Sequence, residues 1–457
     1  MLCLSDSIRD DDPSVQRLLC TVEEAHTLSA LILAAWSLAR VLASHLVESV
    51  LAARARRPPS WPRCPQCGAG LRSKGFVKRQ VISLVGPLRW QRRVGRCPQG
   101  CETPQVAPFD EELGLQPHQR TSGELQSLGC ALAVFVPFAT AATLLSWHSA
   151  ASISPRALWG WVQAAGHRAM EQLQAQLQAV AQGQLPTEEP LAPELVAAPL
   201  LLGADGVMGP FRPEGGQPRG KTAWHEIKVG VLARLGRHRT RSGKVVARLP
   251  QRRLVAVFGH IDALQQRLWL QALRQGIRHA SEVVWLSEGA RGLWRLFDER
   301  FVDYARGILD FYHAVQPRWK GAAAWWDGRT TQARRWWGWA RHRLRHGQPD
   351  GVLADLADAL NVEGLPDTAR ETVRTVYAYL ERHRDHIDYE VDKGLGLPMG
   401  SGMVESACKW LIQQRFKGVG MRWSEDGFNH LLHLRLAWVN GTFDTLFQGQ
   451  RQPSPNT

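Results

Sequence analysis

A chain of 457 residues has room for two to four domains, and its hydrophobic fraction of 44% argues for a sizeable core and against intrinsic disorder. The formal net charge of +14, carried by arginine far more than lysine, points to a polyanionic partner, and to nucleic acid before membrane because no lipid-anchor signal is visible. Eight cysteines without a segment resembling a signal peptide argue against a secreted disulfide scaffold, so a cytoplasmic location is expected.

Residues 1–20 read as a poorly ordered lead. Thr21-Val-Glu-Glu reads as the cap of a helix that reaches about Ala53 within an N-terminal helical region, residues 1–60. Its apolar run, Leu28 to Leu46, is interrupted by Arg40 and His45, which suits an amphipathic helix packed on a partner helix or a second subunit better than a membrane span. Residues 61–120 then carry Cys64 and Cys67, two β-like segments (Phe76 to Val85 and Leu88 to Val94), and Cys97 and Cys101. Four soft ligands on two knuckles are what tetrahedral Zn²⁺ requires, so a zinc ribbon is expected, although Cys-x-x-x-Cys is one residue wider than the usual second pair. Arg72, Lys74, Lys78, Arg79, Arg89, Arg92, Arg93 and Arg96 lie between the knuckles, the footprint of a DNA-binding module. The other cysteines, Cys3, Cys20, Cys130 and Cys408, are scattered.

Residues 121–180 are helical by period. Phe138 to Leu145, a polar turn over Ser149–Ser154 and a second helix from Pro155 fit either a helix-turn-helix or an ordinary helical hairpin. Ser154 would cap the second helix, and Arg156, Trp159 and Arg168 are its candidate DNA contacts. Prolines and acids over 181–197 mark a linker.

From 198 to 316 the pattern becomes α/β. A buried strand ends in Asp205-Gly206, and a Gly- and Pro-rich excursion leads to strands at His225–Leu235 and Leu254–Phe258. A helix over Ile261–Gly276, a buried strand ending in Glu288-Gly289, a helix to Arg300 and a strand ending at Asp310 follow. Three strands, a helix, a strand, a helix and a strand form the order of an RNase H-like sheet. Its first and fourth strands are parallel neighbours, so Asp205 and Glu288 would meet at their carboxyl ends, where repulsion between acids is relieved by cations. Two Mg²⁺ ions about 3.5–4 Å apart could then activate an attacking oxygen and stabilise a leaving one.

An α-helical insertion follows at 317–396, with Trp319, Trp325, Trp326, Trp336, Trp337 and Trp339 interleaved with Arg334, Arg335, Arg341, Arg343 and Arg345. These rings read as a Trp-rich core, and some as candidates to face distorted DNA. Residues 397–446 return to the α/β core with its last helix. There Gly-Ser-Gly precedes Glu405, and Lys409, Arg415, Lys417 and Arg422 follow. An acid in a first helical turn complements the helix dipole and needs no other reason. Four cations after it suit a third metal-holding acid on a helix that runs along a phosphate backbone. Residues 447–457 read as a disordered tail.

Taken together, CPQC…CPQGC, ADGVM, WHEIKVGVL, WLSEGARGLW, ILDFYHA and GSGMVESACKWLIQQRFKGVGMRWSEDG, spanning about Cys64 to Leu446, resemble the bacterial insertion-sequence transposases of the ISKra type, in the Mutator-like group of DDE enzymes. The resemblance implies a multidomain α+β protein with a zinc ribbon, a helix-turn-helix-like segment and an RNase H-like core interrupted by a helical insertion. It implies Asp205, the residue at 288 and Glu405 as the Mg²⁺- or Mn²⁺-binding acids, and Asp310-Phe-Tyr-His313 as the family's Asp/Cys-x-x-His signature. Position 288 departs from the pattern, with Glu where Asp is expected. The extra methylene moves the oxygens by roughly 1 Å, which can cost about 10²-fold in rate. An active enzyme using Glu288, a crippled copy and Asp310 as reserve second acid all stay open.

The implied function is a DNA transposase of the bacterial cytoplasm and nucleoid. It would bind terminal inverted repeats, cut one strand and join the freed end to target DNA, as at least a dimer because two ends are held. The alternatives are a decayed or repurposed zinc-ribbon DNA-binding protein and an RNase H-like nuclease acting on RNA or junctions.

Overall fold

The computed structural model describes residues 12–213 and 220–447, the side chains of residues 317 and 318 excepted. Two compact units emerge: residues 12–165 with 442–447, and Gly166–Gly441.

The first unit begins earlier in helix than its sequence suggests. Helix α1 (Pro13–Glu23) is capped by Asp12, whose carboxylate accepts the Ser14 N–H at 2.7 Å, and Pro13 supplies a pre-set first position. Residues 12–20 are therefore ordered helix, not lead; residues 1–11 lie outside the described range. Thr21 caps nothing, since its hydroxyl donates back to the Arg17 carbonyl at 2.8 Å. The cap of α2 (Leu28–Ala55) is Thr27, which accepts the Ala30 N–H at 3.2 Å. Strands β1 (Arg72–Ser83) and β2 (Gly86–Arg96) form an antiparallel hairpin closed by the Ser83–Gly86 pair, with Gly86 at φ 119°. Their inner residues Val81, Leu88 and Trp90 form one core with Leu51 and Ala55 of α2 and Phe109 of α3 (Pro108–Glu112).

Helices α4 (Gly123–Phe135), α5 (Phe138–His148) and α6 (Pro155–Ala181) follow. Ser154 accepts the Ala157 N–H at 3.1 Å and so caps α6. The six residues 149–154 between α5 and α6 exceed the three or four of a helix-turn-helix turn.

In the second unit, β3 (Leu200–Phe211), β4 (Ala223–Arg234), β7 (Arg253–Phe258), β8 (Val283–Ser287) and β9 (Arg306–Leu309) make a mixed sheet in the order β7-β4-β3-β8-β9; β5 (Gly236–Arg239) and β6 (Val245–Arg248) form a separate hairpin. Strand β4 runs antiparallel to β3 and β7, whereas β8 is parallel to β3 and β9 to β8. Strand β3 does not end at Asp205-Gly206: ladder pairing with β4 carries it to Phe211. The parallel ladder with β8 stops at Leu202–Trp285, so Asp205 still projects just beyond that pairing. The Gly- and Pro-rich excursion falls largely on residues 214–219, outside the described range.

Helices α7 (Ile261–Arg274) and α8 (Arg291–Arg300) share one buried core with the sheet, filled by Leu264, Leu268, Trp285, Leu293 and Phe297. After β9 the chain turns at once into α9 (Phe311–Trp326), because the Asp310 side chain accepts the His313 N–H. The strand expected to end at Asp310 thus stops at Leu309, and helix begins at Phe311, six residues before the insertion expected from 317. Helices α10 (Thr331–Arg345), α11 (Pro349–Leu360), α12 (Asp367–Arg382) and α13 (Tyr389–Gly394) complete that insertion. Trp336 is buried and donates its Nε1–H to Asp355 at 2.9 Å, and Trp325 and Trp326 stack at 3.6 Å beside it, so these three rings are packing residues.

The chain returns to the sheet through α14 (Gly402–Cys408), a π-helical turn (Lys409–Gln413), α15 (Gln414–Phe416) and α16 (Glu425–Val439). A π turn misaligns carbonyls from their usual donors. Here the buried Arg435 of α16 donates to the carbonyls of Leu411, at 3.0 Å, and Trp410, while lying over the Trp410 ring at 4.2 Å. A 3₁₀ turn, Phe443–Phe447, closes the described chain; residues 448–457 of the expected tail lie outside it.

Candidate active site

Asp205, Glu288 and Glu405 come from β3, from the turn after β8 and from the first turn of α14. What brings α14 onto β3 is Gly203. A Cβ there would stand 2.6 Å from the Leu286 carbonyl oxygen and 2.7 Å from Val404 Cγ2, so only a glycine admits the helix this close. Glu405 then lies near enough to Asp205 to raise its pKa.

Asp205 and Glu288 both have carboxyls raised above the ordinary value. For each the largest cause is burial; the negative charge of Glu405 adds to it at Asp205 and that of Asp205 at Glu288. His313 opposes this from the other side. Its Nε2 stands 3.6 Å from Glu288 Oε2 and its Nδ1 3.1 Å from Asp310 Oδ1, and the Asp310 carboxylate beside it is the chief reason its own pKa is raised.

Asp310 does something other than the reserve-acid role. It is 2% exposed, and its carboxylate accepts the backbone N–H groups of His313 and of Ser401. Burial alone would raise its pKa, but the His313 ring beside it and then these hydrogen bonds hold the carboxyl well below the usual range. Asp310 therefore ties the end of β9 to the Ser401 turn that launches α14, and so helps fix Glu405. Glu405 is half-exposed, with Lys409 Nζ at 3.5 Å one helical turn on.

The loop carrying Glu288 is held from behind by the insertion. Trp294 donates its Nε1–H to the Glu288 carbonyl at 2.9 Å, and its ring packs on His386 and His383. Gly289 leaves room for Tyr379, whose hydroxyl would lie 2.2 Å from a Cβ at that position. Glu226 is a fourth acid at this edge, missed in the sequence: a Cβ on Gly206 would meet its Oε1 at 2.1 Å, and Lys228 Nζ pairs with it at 2.8 Å. The signal was the polar alternation His-Glu-Ile-Lys at the start of an otherwise apolar strand.

The expected DNA contacts separate. Lys409, Arg422 and Arg156 are exposed, with Arg422 donating to the Gly220 carbonyl at 2.6 Å and Arg156 lying over the Trp159 ring at 4.5 Å. Lys417 sits 5.4 Å from the centre of the Trp224 ring. Arg415 is a correction: it is 2% exposed and packs over Trp423, so its guanidinium is not presented to a phosphate backbone. Burial, then the nearby Arg435, lowers its pKa to about 10.

In the first unit, the ligand atoms of Cys64, Cys67, Cys97 and Cys101 lie within 4.8 Å of one another, a cluster that could hold a zinc ion. Zn–S bonds of about 2.3 Å in tetrahedral array put sulfurs about 3.8 Å apart, and Cys67 and Cys97 stand at 3.4 Å, far beyond a disulfide. The wider second knuckle is accommodated by Gly100 at φ 78°, whose N–H donates to the Cys97 carbonyl. Backbone N–H groups, that of Cys67 foremost, lower the Cys64 thiol to about 6, which suits a thiolate ligand. Arg79 and Arg92 are drawn to the buried Asp110, whereas Arg72, Lys74, Lys78, Arg89 and Arg96 remain exposed along the hairpin.

No family model matches the chain, and no curated protein matches it. Among solved structures, a Drosophila P element transposase strand transfer complex aligns over 74% of this chain and 83% of that one, at 10% identity and a TM-score of 0.25. A likeness that weak carries no argument about fold or function.

Proposed function

We propose that the protein is a DNA transposase with an RNase H-like core, in which Asp205, Glu288 and Glu405 form the acidic site and the four-cysteine ribbon with its exposed cations grips DNA. The observation that carries the reading is the convergence of three carboxylates, separated by 83 and 117 positions in the chain, on one edge of a sheet whose β3 and β8 are parallel neighbours. Burial with a neighbouring carboxylate, Glu405 at Asp205 and Asp205 at Glu288, raises these two acids, and a divalent cation would relieve the repulsion in such a donor set. Mg²⁺ or Mn²⁺ bound there would activate an attacking oxygen and stabilise the leaving oxygen of a phosphodiester.

The chain's own residues do the rest. His313 orients Glu288, Asp310 holds the turn that carries Glu405, and Lys409 offsets the charge of Glu405 at the approach to the site. Zinc at the ribbon is structural in this reading, and assembly as at least a dimer follows from the need to hold two ends.

The test is cleavage of DNA bearing the element's own ends, with Mg²⁺ or Mn²⁺. Wild type should nick the ends, and Asp205→Ala and Glu405→Ala should fall to background. Undiminished cutting by either variant would sink the proposal. A second reading, a decayed copy that only binds repeat ends, is favoured by one observation: a glutamate at 288 where the resemblance calls for aspartate. Binding without cleavage by wild type, together with strong cleavage by Glu288→Asp, would establish that reading instead.

A further inference from the structure

Helix α2 leaves one side without a partner among the described residues. Its last turns, at Leu51 and Ala55, are buried in the ribbon core, and the Glu48 carboxylate accepts the Arg89 N–H at 2.7 Å. Helix α1 covers a second side, with Val15 and Ala34 buried and Asp12 at 3.5 Å from His45. The remaining side exposes Leu28 (72%), Leu33 (66%), Ile32 (57%) and Trp36 (51%), with Leu31, Leu46 and Val47 each more than a third exposed. Without Leu33 and Val47, which point away from the others, these side chains offer roughly 500 Å² per chain, within the range of the largest apolar patch of a typical monomer and a substantial part of the about 800 Å² per partner of a standard interface.

The spacing within this face says what covers it. Leu28, Ile32, Ala35, Ala39, Leu42 and Leu46 recur at intervals of four, three, four, three and four, the a/d spacing of a heptad repeat, with Leu31 and Trp36 flanking it at g and e positions. Ile32, Ala39 and Leu46 fall at a positions and Leu28, Ala35 and Leu42 at d positions; a β-branched residue at a with Leu at d is the choice that favours two strands among parallel coiled coils. Helix α2 is long and apolar enough to cross a bilayer by length and composition. However, Arg40, His45 and Glu48 interrupt it, and α1, with Arg17, Glu23 and Glu24, lies along it. Insertion would drag those charges into hydrocarbon at several kcal/mol apiece.

We propose that the α2 seam is the interface between two copies of this chain, a parallel two-stranded coiled coil. The heptad pattern is self-complementary, and a second copy supplies the same seam without any further partner. The inference stands whether or not the chain cuts DNA.

The test is sedimentation equilibrium of the full-length protein at micromolar concentration. Wild type should be dimeric. The double variant Ile32→Lys with Leu46→Lys should raise the dissociation constant at least 100-fold, with an unchanged circular dichroism spectrum because both positions are exposed. Ala30→Lys, off the seam, should dimerise like wild type, and Ile32→Cys should form a 32–32 disulfide under mild oxidation. A wild type that stays monomeric to tens of micromolar, or a double variant that dimerises undiminished, overturns the proposal. Flotation of wild type with neutral phosphatidylcholine vesicles, lost in the double variant, would assign the seam to lipid and overturn it equally.

Discussion

The two places where ligand-type side chains converge are built in opposite ways. The cysteine cluster draws on residues 64–101 and is closed by one hairpin and two short knuckles, so its geometry is set by local turns such as the Gly100 bend. The acidic edge draws on residues 205–405 and needs the sheet, the Gly203 contact, the Asp310 tie and the packing of the insertion behind Glu288. A small domain with little core depends on its metal, whereas the acids rest on a scaffold that stands on its own buried core.

That contrast is most sharply tested by removing the metal site. If the cluster holds zinc as proposed, Cys64→Ser with Cys97→Ser should unfold the ribbon outright, since structural zinc contributes on the order of 10 kcal/mol to such modules. Limited proteolysis should then cut within residues 61–106 while Gly166–Gly441 survives; an intact ribbon would break the comparison.

Acid should act chiefly on the second unit. His383 and His433 have pKa values lowered to about 4, in both cases mainly by burial, from 6.5. Depressed values mean that the unfolded chain binds the protons first. The stability they support is therefore fully present above pH 6.5 and lost as pH falls through 4, up to about 3 kcal/mol for each group. Thermal melts from pH 7 to 4 should track this loss, and His433→Phe should flatten the profile.

Asp310→Asn, nearly isosteric, replaces a charged acceptor of two backbone N–H groups with a neutral one. It should cost about 2 kcal/mol of stability and loosen the Ser401 turn, read as faster amide exchange at Ser401 and Glu405. If only global stability changed, Asp310 would be an ordinary helix cap. The smallest effect belongs to Trp294→Phe, which keeps a ring but deletes the donor to the Glu288 carbonyl. It should cost about 1 kcal/mol in denaturant unfolding and leave the cysteine cluster untouched.

Much of this was legible in the sequence where the signal is local. Cys64, Cys67, Cys97 and Cys101 could be grouped from spacing alone. The runs Leu200–Ala204 and Val283–Ser287 read as buried strands because unbroken apolar residues fit a sheet covered on both faces. What escaped the sequence depended on non-local partners. Strand β3 outlasts Asp205 because the antiparallel ladder with β4 continues to the Phe211–Ala223 pair. Arg415 looked like one more surface cation in a basic helix, and nothing in its neighbours' identities announced that it would be buried beside Trp423 and Arg435. Thr21 and Thr27 are equivalent as local cap signals, and Asp12 with Pro13 decides between them by starting a helix that runs through Thr21. Asp310 and His313 were visible as a pair, but the use of the pair appears only once Ser401 arrives from 91 residues away.

That last contact closes a ring in the chain. Between Asp310 and Ser401 runs the whole helical insertion, and a backbone-to-carboxylate hydrogen bond joins its two ends at the sheet. Helices within such a ring can lengthen, shorten or be exchanged without moving the point where the chain re-enters the core. The constraint on variation would then fall on the residues that reach back to the sheet and its loops, Tyr379, His383, His386, Tyr389 and Asp392, and on the two that close the ring.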